Sequence, residues 1–154
     1  MDGIFNVQLP VTLDKFLDHK ETKNLFMLNL ESQNEVQLRE IFNLHINPVV
    51  ESFFTVYETY DSFFNTLGKV NPIRFKKDTV IPYFRETGCT WVGYYFLDIK
   101  FNGIKMQVRN PWWHGHHFSP IIREGDVILL PSILEHQLIS MVDEDQVIIK
   151  YQIL

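Results

Sequence analysis

Residues 124–136 read EGDVILLPSILEH, and they are the most informative stretch of the sequence for predicting the fold. A glycine turn at Gly125 leads into an apolar strand that ends at Pro131, and His136 follows at the start of another strand. The same pattern continues on both sides of this stretch. Short β-rich runs separated by Gly, Pro or Asn-Gly extend from residue 79 to residue 154. The predicted strands are 79–84, 90–101, 104–109, 126–130, 137–142 and 146–153. Six short strands in about 75 residues predict a β-sandwich or a barrel.

Upstream of residue 70 the apolar residues recur at helical spacing instead. The clearest helix begins at residues 47–48, where an Asn N-cap precedes a proline at the first helical position, and it ends at Gly68. A capping box at residues 32–35 opens a second helix over 36–44, and a third is predicted over about 13–20. An apolar helix stripe needs a surface to cover. The sequence therefore predicts an α+β chain in which two or three N-terminal helices pack on one sheet face.

The predicted strand 146–153 makes this packing specific, because side chains alternate between the two faces of a strand. One face is predicted to line the barrel interior and carries Gln146, Ile148, Lys150 and Gln152. The other is predicted to face the helices and carries Val147, Ile149, Tyr151 and Ile153. The helix that begins at residues 47–48 is expected to contact this second face through Phe53, Tyr57, Tyr60 and Phe64.

Length, composition and charge exclude several classes of protein. A chain of 154 residues, 45% of them hydrophobic and 21% charged, is predicted to form one domain over 1–154. The net charge of −5 argues against a nucleic-acid partner, and no apolar run approaches the roughly 20 residues that span a membrane. Cys89 is the only cysteine, which excludes an internal disulfide and fits a reducing compartment. We therefore expect a cytoplasmic protein without nucleic-acid or membrane partners.

The order of these motifs resembles the small oxygenase-like proteins of phages and cyanobacteria, within the iron(II)- and 2-oxoglutarate-dependent oxygenases and cupins. The 124–136 stretch resembles the second half of their metal site, and residues 91–97, WVGYYFL, resemble their Ser-Gly-Val-Tyr-Tyr strand. Residues 108–111, VRNP, match the strand end that follows. The resemblance implies a double-stranded β-helix, or jelly roll, over 71–154 after a helical part over 1–70.

The resemblance also implies an iron and keto-acid site, and this sequence contains only part of the residues that such a site requires. Such oxygenases need two histidines and one carboxylate around iron, together with a basic residue on the last strand for the keto acid. His136 lies at the position of the second histidine. The family's His-x-Asp/His pair aligns with Phe84 and Glu86, and its arginine aligns with Gln146. Lys150, four residues further along the same strand face, is a substitute cation for a carboxylate.

A second group of candidate residues lies in the stretch 112–118, WWHGHHF. Its histidines, His114, His116 and His117, are substitutes for the missing imidazole if the loop folds over the barrel mouth. The alternative metal set is therefore His136, Glu86 and His116, with Lys150 and Gln146 as cofactor-binding residues. Trp112 and Trp113 also allow a metal-free binding module in which they stack on a sugar or a base.

Two functions of different classes follow from the resemblance. Since the first histidine and the arginine are lost while the fold-forming pattern persists, the first is a non-catalytic structural or interaction protein without a cofactor. Its expected partners are other protein chains in an assembly or homo-oligomer, such as a phage virion or its assembly in the host cytoplasm. The second is an active oxygenase that uses iron(II) and 2-oxoglutarate.

Overall fold

The computed structural model describes residues 11–13, 19–30, 35–48, 50, 67–76, 79–109 and 117–154. The helices are α1 (His19–Leu30) and α2 (Glu35–Ile41), and α2 continues into a π-helical segment at Phe42–Ile46. The strands are β1 (Val11–Leu13), β2 (Leu67–Phe75), β3 (Val80–Phe84), β4 (Trp91–Asp98), β5 (Ile104–Arg109), β6 (His117–Phe118), β7 (Val127–Pro131), β8 (Glu135–Ser140) and β9 (Gln146–Ile153). No helix in these ranges is long and apolar enough to cross a membrane.

The strands pair into two antiparallel sheets. The five-stranded sheet has the order β1-β7-β4-β9-β2, and the four-stranded sheet has the order β3-β8-β5-β6. Consecutive strands lie in different sheets in most of the chain, which is the winding of a double-stranded β-helix. Together with the helices this arrangement confirms the predicted α+β jelly roll.

The apolar side chains form two cores, one on each side of the five-stranded sheet. One core joins this sheet to the helices through Phe26, Leu38 and Phe42. The other lies between the sheets and includes Met106 and Leu138. Burying these side chains gives roughly 1.5–3 kcal/mol for each large residue. The two cores hold the helical layer and both sheets together.

Strand β9 confirms the predicted division of faces. Val147, Ile149, Tyr151 and Ile153 lie in the helix–sheet core, and Ile148 lies in the core between the sheets. Residues 51–66, with the aromatic side chains at 53, 57, 60 and 64, lie outside the described ranges, so their contact with β9 stays a prediction. Val50, which begins that apolar stripe, is fully buried in the helix–sheet core.

The helix predicted over about 13–20 is wrong in its first part. Val11–Leu13 forms a strand that pairs with β7, and α1 begins at His19 and runs to Leu30. The buried residues of α1, Thr22, Phe26 and Leu30, supply only one inward side chain per turn. This stripe is too narrow to be recognised from periodicity alone.

The helix predicted to end at Gly68 is also wrong at that end, because β2 begins at Leu67. Pairing with β9, which lies about 75 positions further along the chain, supplies the hydrogen bonds that local sequence does not show. Pro72 is tolerated in β2 because the strand lies at the edge of the sheet, where no neighbour requires its missing N–H. The single-domain organisation of residues 1–154 stays a prediction.

Candidate functional site

His136 lies in the interior between the two sheets, since it sits on β8 of the four-stranded sheet and contacts Tyr94 on β4 of the other. Pro131 ends β7, and a tight turn closed by the hydrogen bond from Leu134 N to Pro131 O starts β8. His136 is then the second residue of β8, paired with Phe84 on β3 and with Val108 on β5. The alternation of β8 points the imidazole inward, and the side chain is fully buried.

Both nitrogens of His136 face groups of the chain itself. The Tyr94 hydroxyl lies 2.6 Å from Nε2, and Nδ1 faces the Leu134 carbonyl oxygen at 3.4 Å. This arrangement suits a neutral ring that carries its proton on Nδ1 and accepts a hydrogen bond from Tyr94. Burial lowers the pKa of His136 to about 4, so the ring is neutral near pH 7.

Phe84, the residue that the resemblance aligns with a first histidine, packs its ring against His136. The centroid of the Phe84 ring lies 4.5 Å from that of His136, and the two rings are inclined at 50°. The Tyr94 ring meets the same imidazole edge-on at 5.4 Å. An apolar ring offers no lone pair to a metal ion, so this side of His136 is a packing contact.

Glu86 is bonded to two side chains of β9. Lys150 Nζ lies 2.9 Å from Oε2, and Gln152 Nε2 donates to Oε1 at 2.7 Å. Burial raises the pKa of Glu86, but these hydrogen bonds and the Lys150 charge outweigh it, so the pKa lies below its ordinary value. Glu86 and Lys150, predicted as a metal ligand and a keto-acid cation, are therefore brought together as a largely buried ion pair.

Gln146 does not point toward a keto acid. Its Oε1 accepts a hydrogen bond from Lys100 N at 3.0 Å, and its Nε2 donates to Gly103 O at 2.9 Å and to Ser140 Oγ at 3.3 Å. These bonds brace the turn that carries the chain from β4 in one sheet to β5 in the other. A side chain at residue 103 would collide with the Gln146 amide, which explains the glycine there. The predicted cofactor-binding residue is a structural brace.

Cys89 and Tyr94 are the groups near Glu86 that chemistry could use as nucleophile or acid. Burial, followed by the negative charge of Glu86, raises the pKa of the Cys89 thiol. The same two causes, burial first, raise the pKa of Tyr94 well above its ordinary value. Both groups stay protonated near neutral pH, so neither is an activated nucleophile.

The structure describes the tryptophan–histidine stretch, residues 112–118, only at its C-terminal end. Trp112, Trp113, His114 and His116 lie outside the described ranges, so their metal-binding or stacking roles stay predictions. The backbone of His117 belongs to β6 and pairs with Arg109. Within the part of the chain that the structure describes, no group of three or more His, Cys, Asp or Glu could hold a metal ion.

These contacts decide whether iron and 2-oxoglutarate fit the described residues. The Tyr94 hydroxyl meets His136 Nε2, the Phe84 ring packs against the same imidazole, and the Glu86 carboxylate is neutralised by Lys150. Ligation would require two of these contacts to break inside a buried space. The described residues therefore do not fit a mononuclear iron site.

A second polar cluster, which sequence reasoning missed, lies on the outer side of the five-stranded sheet. Glu124 accepts hydrogen bonds from Ile99 N at 3.0 Å and from Lys23 at 3.3 Å, and it pairs with His19 at 2.9 Å. Lys23 also reaches Asp98 at 3.2 Å. Burial raises the pKa of Glu124, but its bonds to His19, Ile99 and Lys23 outweigh burial and lower it. The cluster fastens α1 to the sheet, and no local sequence pattern indicates it, because His19 and Glu124 lie 105 positions apart along the chain.

No protein-family model matches the sequence, and no curated protein matches it either. Solved structures do. A prolyl hydroxylase from Trichoplax adhaerens, in complex with a hypoxia inducible factor peptide fragment, has a TM-score of 0.72 at 9% identity, covering 97% of this chain and 85% of that one. A prolyl-4-hydroxylase from Pseudomonas putida has a TM-score of 0.69 at 8% identity, covering 99% and 88%.

A third structure is a 2OG-Fe(II) oxygenase family oxidoreductase from Burkholderia pseudomallei, with a TM-score of 0.63 at 15% identity. The match covers 75% of this chain and 56% of that one, so the chain spans little more than half of that protein. Identities this low show the fold alone, because one fold hosts many functions. The chain thus resembles the 2-oxoglutarate- and iron(II)-dependent oxygenases in fold, as a double-stranded β-helix.

Proposed function

We propose that this chain is a non-catalytic, oxygenase-like jelly-roll protein that serves as an interaction component of a protein assembly and needs no cofactor. The observation that carries the proposal is the internal pairing of the predicted site. His136 is hydrogen-bonded to Tyr94, and Glu86 is paired with Lys150. The groups that would bind iron and a keto acid are bonded to residues of the same chain.

The energies of these contacts favour the paired state. A metal on His136 Nε2 would leave the buried Tyr94 hydroxyl without its partner, which costs about 1–3 kcal/mol. Taking Glu86 as a ligand would leave the Lys150 ammonium unpaired in a largely enclosed place, at a penalty of several kcal/mol. A ligand would have to offset both penalties before it bound with any net affinity.

An interaction role needs contact surface, and the chain offers it. Large apolar side chains are exposed on the helical layer and on the loops of the barrel, among them Leu28, Leu44, Phe101 and Ile121. Exposed apolar groups that form a continuous patch are typical of protein–protein contact sites. The setting that we propose, from the sequence resemblance, is a phage virion or its assembly in the host cytoplasm.

Metal analysis of protein prepared without oxygen tests this proposal. We expect no stoichiometric iron, no binding heat on titration with iron(II), and no decarboxylation of 2-oxoglutarate in the presence of iron. The His136→Ala variant should behave like the wild type in all three assays. His45→Ala, which removes a histidine from the helical layer, is the matched control for the loss of one imidazole.

The opposite result supports the alternative, an active iron(II)- and 2-oxoglutarate-dependent oxygenase. Micromolar iron binding that disappears in His136→Ala but persists in His45→Ala would overturn the non-catalytic role. A further loss in His116→Ala would then identify His116 as the missing ligand from the loop.

A further inference from the structure

Phe101 is the most exposed large apolar side chain in the described ranges, at 91% of its free area. It lies in the turn between β4 and β5, beside Asn102, whose φ is 52°. Turn positions of this kind usually carry polar or small residues. An interface that covered this phenyl ring would gain the free energy of removing its apolar surface from water.

The turn that carries Phe101 is held rigidly. Gln146 bonds to the backbone of Lys100 and Gly103 on both sides of the tip, and Gly103 N donates to Lys100 O at 2.8 Å. Met141 N donates to Gly103 O at 2.8 Å, which fixes this turn to the end of β8. A side chain on a fixed backbone loses little freedom on binding, so this geometry suits an aromatic anchor.

Phe101 borders an apolar strip on the outer face of the four-stranded sheet. His136, Leu138 and Ser140 are buried, so Ile139 and Met141 project outward by the alternation of the strand. Val80 pairs with Ile139 across the β3–β8 ladder and lies on the same face. Met141 is 55% exposed and Val80 is 51% exposed. We call these four side chains, Phe101, Met141, Ile139 and Val80, the turn patch.

Charges of both signs border the turn patch. Lys105 pairs with Ile139 across the β5–β8 ladder and is exposed. On the other side, residues 143–145 carry three consecutive exposed carboxylates, of which Glu144 lies 3.6 Å from Lys100. A two-fold axis through such a patch can bring the carboxylates of one copy toward the lysine of another, whereas a wholly basic or acidic partner would meet one unfavourable side.

We propose that the turn patch is the interface of a symmetric dimer of this chain, with Phe101 as its anchor. The proposal rests on the proposed interaction role and names its partner as a second copy. The two-fold contact buries Phe101 against the patch of the other protomer, while the four-stranded sheets face each other at this end.

Analytical ultracentrifugation of the full chain over a wide concentration range tests this interface. We expect a monomer–dimer equilibrium in which Phe101→Gln raises the dissociation constant at least about tenfold, the loss typical of an anchoring aromatic. The matched control is Leu28→Gln, because Leu28 is 78% exposed on α1 in the helical layer. It should leave the dissociation constant unchanged.

Two results would overturn the dimer: a wild-type chain that stays monomeric at every concentration, or a dimer that Phe101→Gln does not weaken. Circular dichroism of each variant separates a lost interface from a lost fold, and Met141→Gln provides a second perturbation of the same patch. Iron affinity is measured independently. A monomer without iron affinity refutes only the dimer, and a dimer that binds iron and turns over 2-oxoglutarate refutes only the non-catalytic role.

Discussion

The buried neutral imidazole of His136 should make the protein sensitive to mild acid. Its pKa lies at about 4 in the folded chain and near the ordinary value of 6.5 once the chain unfolds. Above pH 6.5 the ring is neutral in both states. As the pH falls below 6.5 the unfolded state takes up a proton that the folded state does not, so the stability that His136 contributes is lost until about pH 4.

The size of this effect follows from the same shift. One pKa unit corresponds to about 1.4 kcal/mol, so the difference between 6.5 and about 4 amounts to about 3 kcal/mol of unfolding free energy. A loss of this size is a large fraction of the stability of a typical domain. Glu86 and Glu124, whose pKa values are lowered, add their own losses at more acidic pH, because they must be protonated as the chain unfolds.

Urea unfolding at a series of pH values, with wild type and His136→Gln side by side, isolates the histidine. Glutamine can still bond to the Tyr94 hydroxyl but does not titrate. The unfolding free energy of the variant should therefore fall less steeply as the pH drops from 6.5 to 4, by up to the equivalent of one proton. If the unfolding free energies of the two proteins depend equally steeply on pH in this range, the lowered pKa of His136 is wrong. If the variant does not fold, an NMR titration of the His136 ring in the wild-type protein measures its pKa directly. Titration near pH 6.5 would contradict the lowered pKa in the same way.

Other substitutions test the packing of the same interior by chemical denaturation. Gly93→Ala should cost about 3 kcal/mol, because a Cβ there overlaps the ring of Tyr151, and Tyr151→Leu should relieve part of that loss. Tyr151→Phe should raise stability by about 1 kcal/mol, because the hydroxyl is buried without a partner among the described residues; a loss would reveal one. Lys150→Met should cost about 2 kcal/mol at neutral pH and less below the pKa of Glu86, whereas a pH-independent loss would point to packing. Gln146→Leu should cost about 2–3 kcal/mol and speed amide exchange in the turn between β4 and β5; unchanged exchange would contradict the bracing role.

Much of the barrel could be predicted from local sequence. Strands β5 and β9 have the predicted bounds, because alternation and the Asn102-Gly103 turn are encoded within each segment. Strands β1 and β2 could not be found in this way. Their hydrogen bonds come from β7 and β9, more than 70 residues away in sequence, and neither segment has a distinctive pattern of its own.

For the candidate site, too, the sequence predicts some features and not others. The turn after Pro131 placed His136 correctly in the barrel interior. Its partner Tyr94 could not be foreseen, since spacing along the chain does not show which tyrosine of a pair faces inward. The bracing role of Gln146 could not be predicted for a similar reason, because its partner Gly103 lies more than 40 residues earlier in the chain. Pairwise contacts between distant strands, rather than residue types, decide what these side chains do.

The central position of β9 has a consequence for how the chain reaches this fold. β9 is the last described strand in chain order, yet it lies between β4 and β2 and hydrogen-bonds to both. Before residues 146–153 are in place, β2 has no neighbour in its sheet and the helix–sheet core lacks four of its apolar side chains. Closing such distant pairings is entropically slow. We therefore expect late, nearly all-or-none assembly, with β2 exposed to misassociation until β9 arrives.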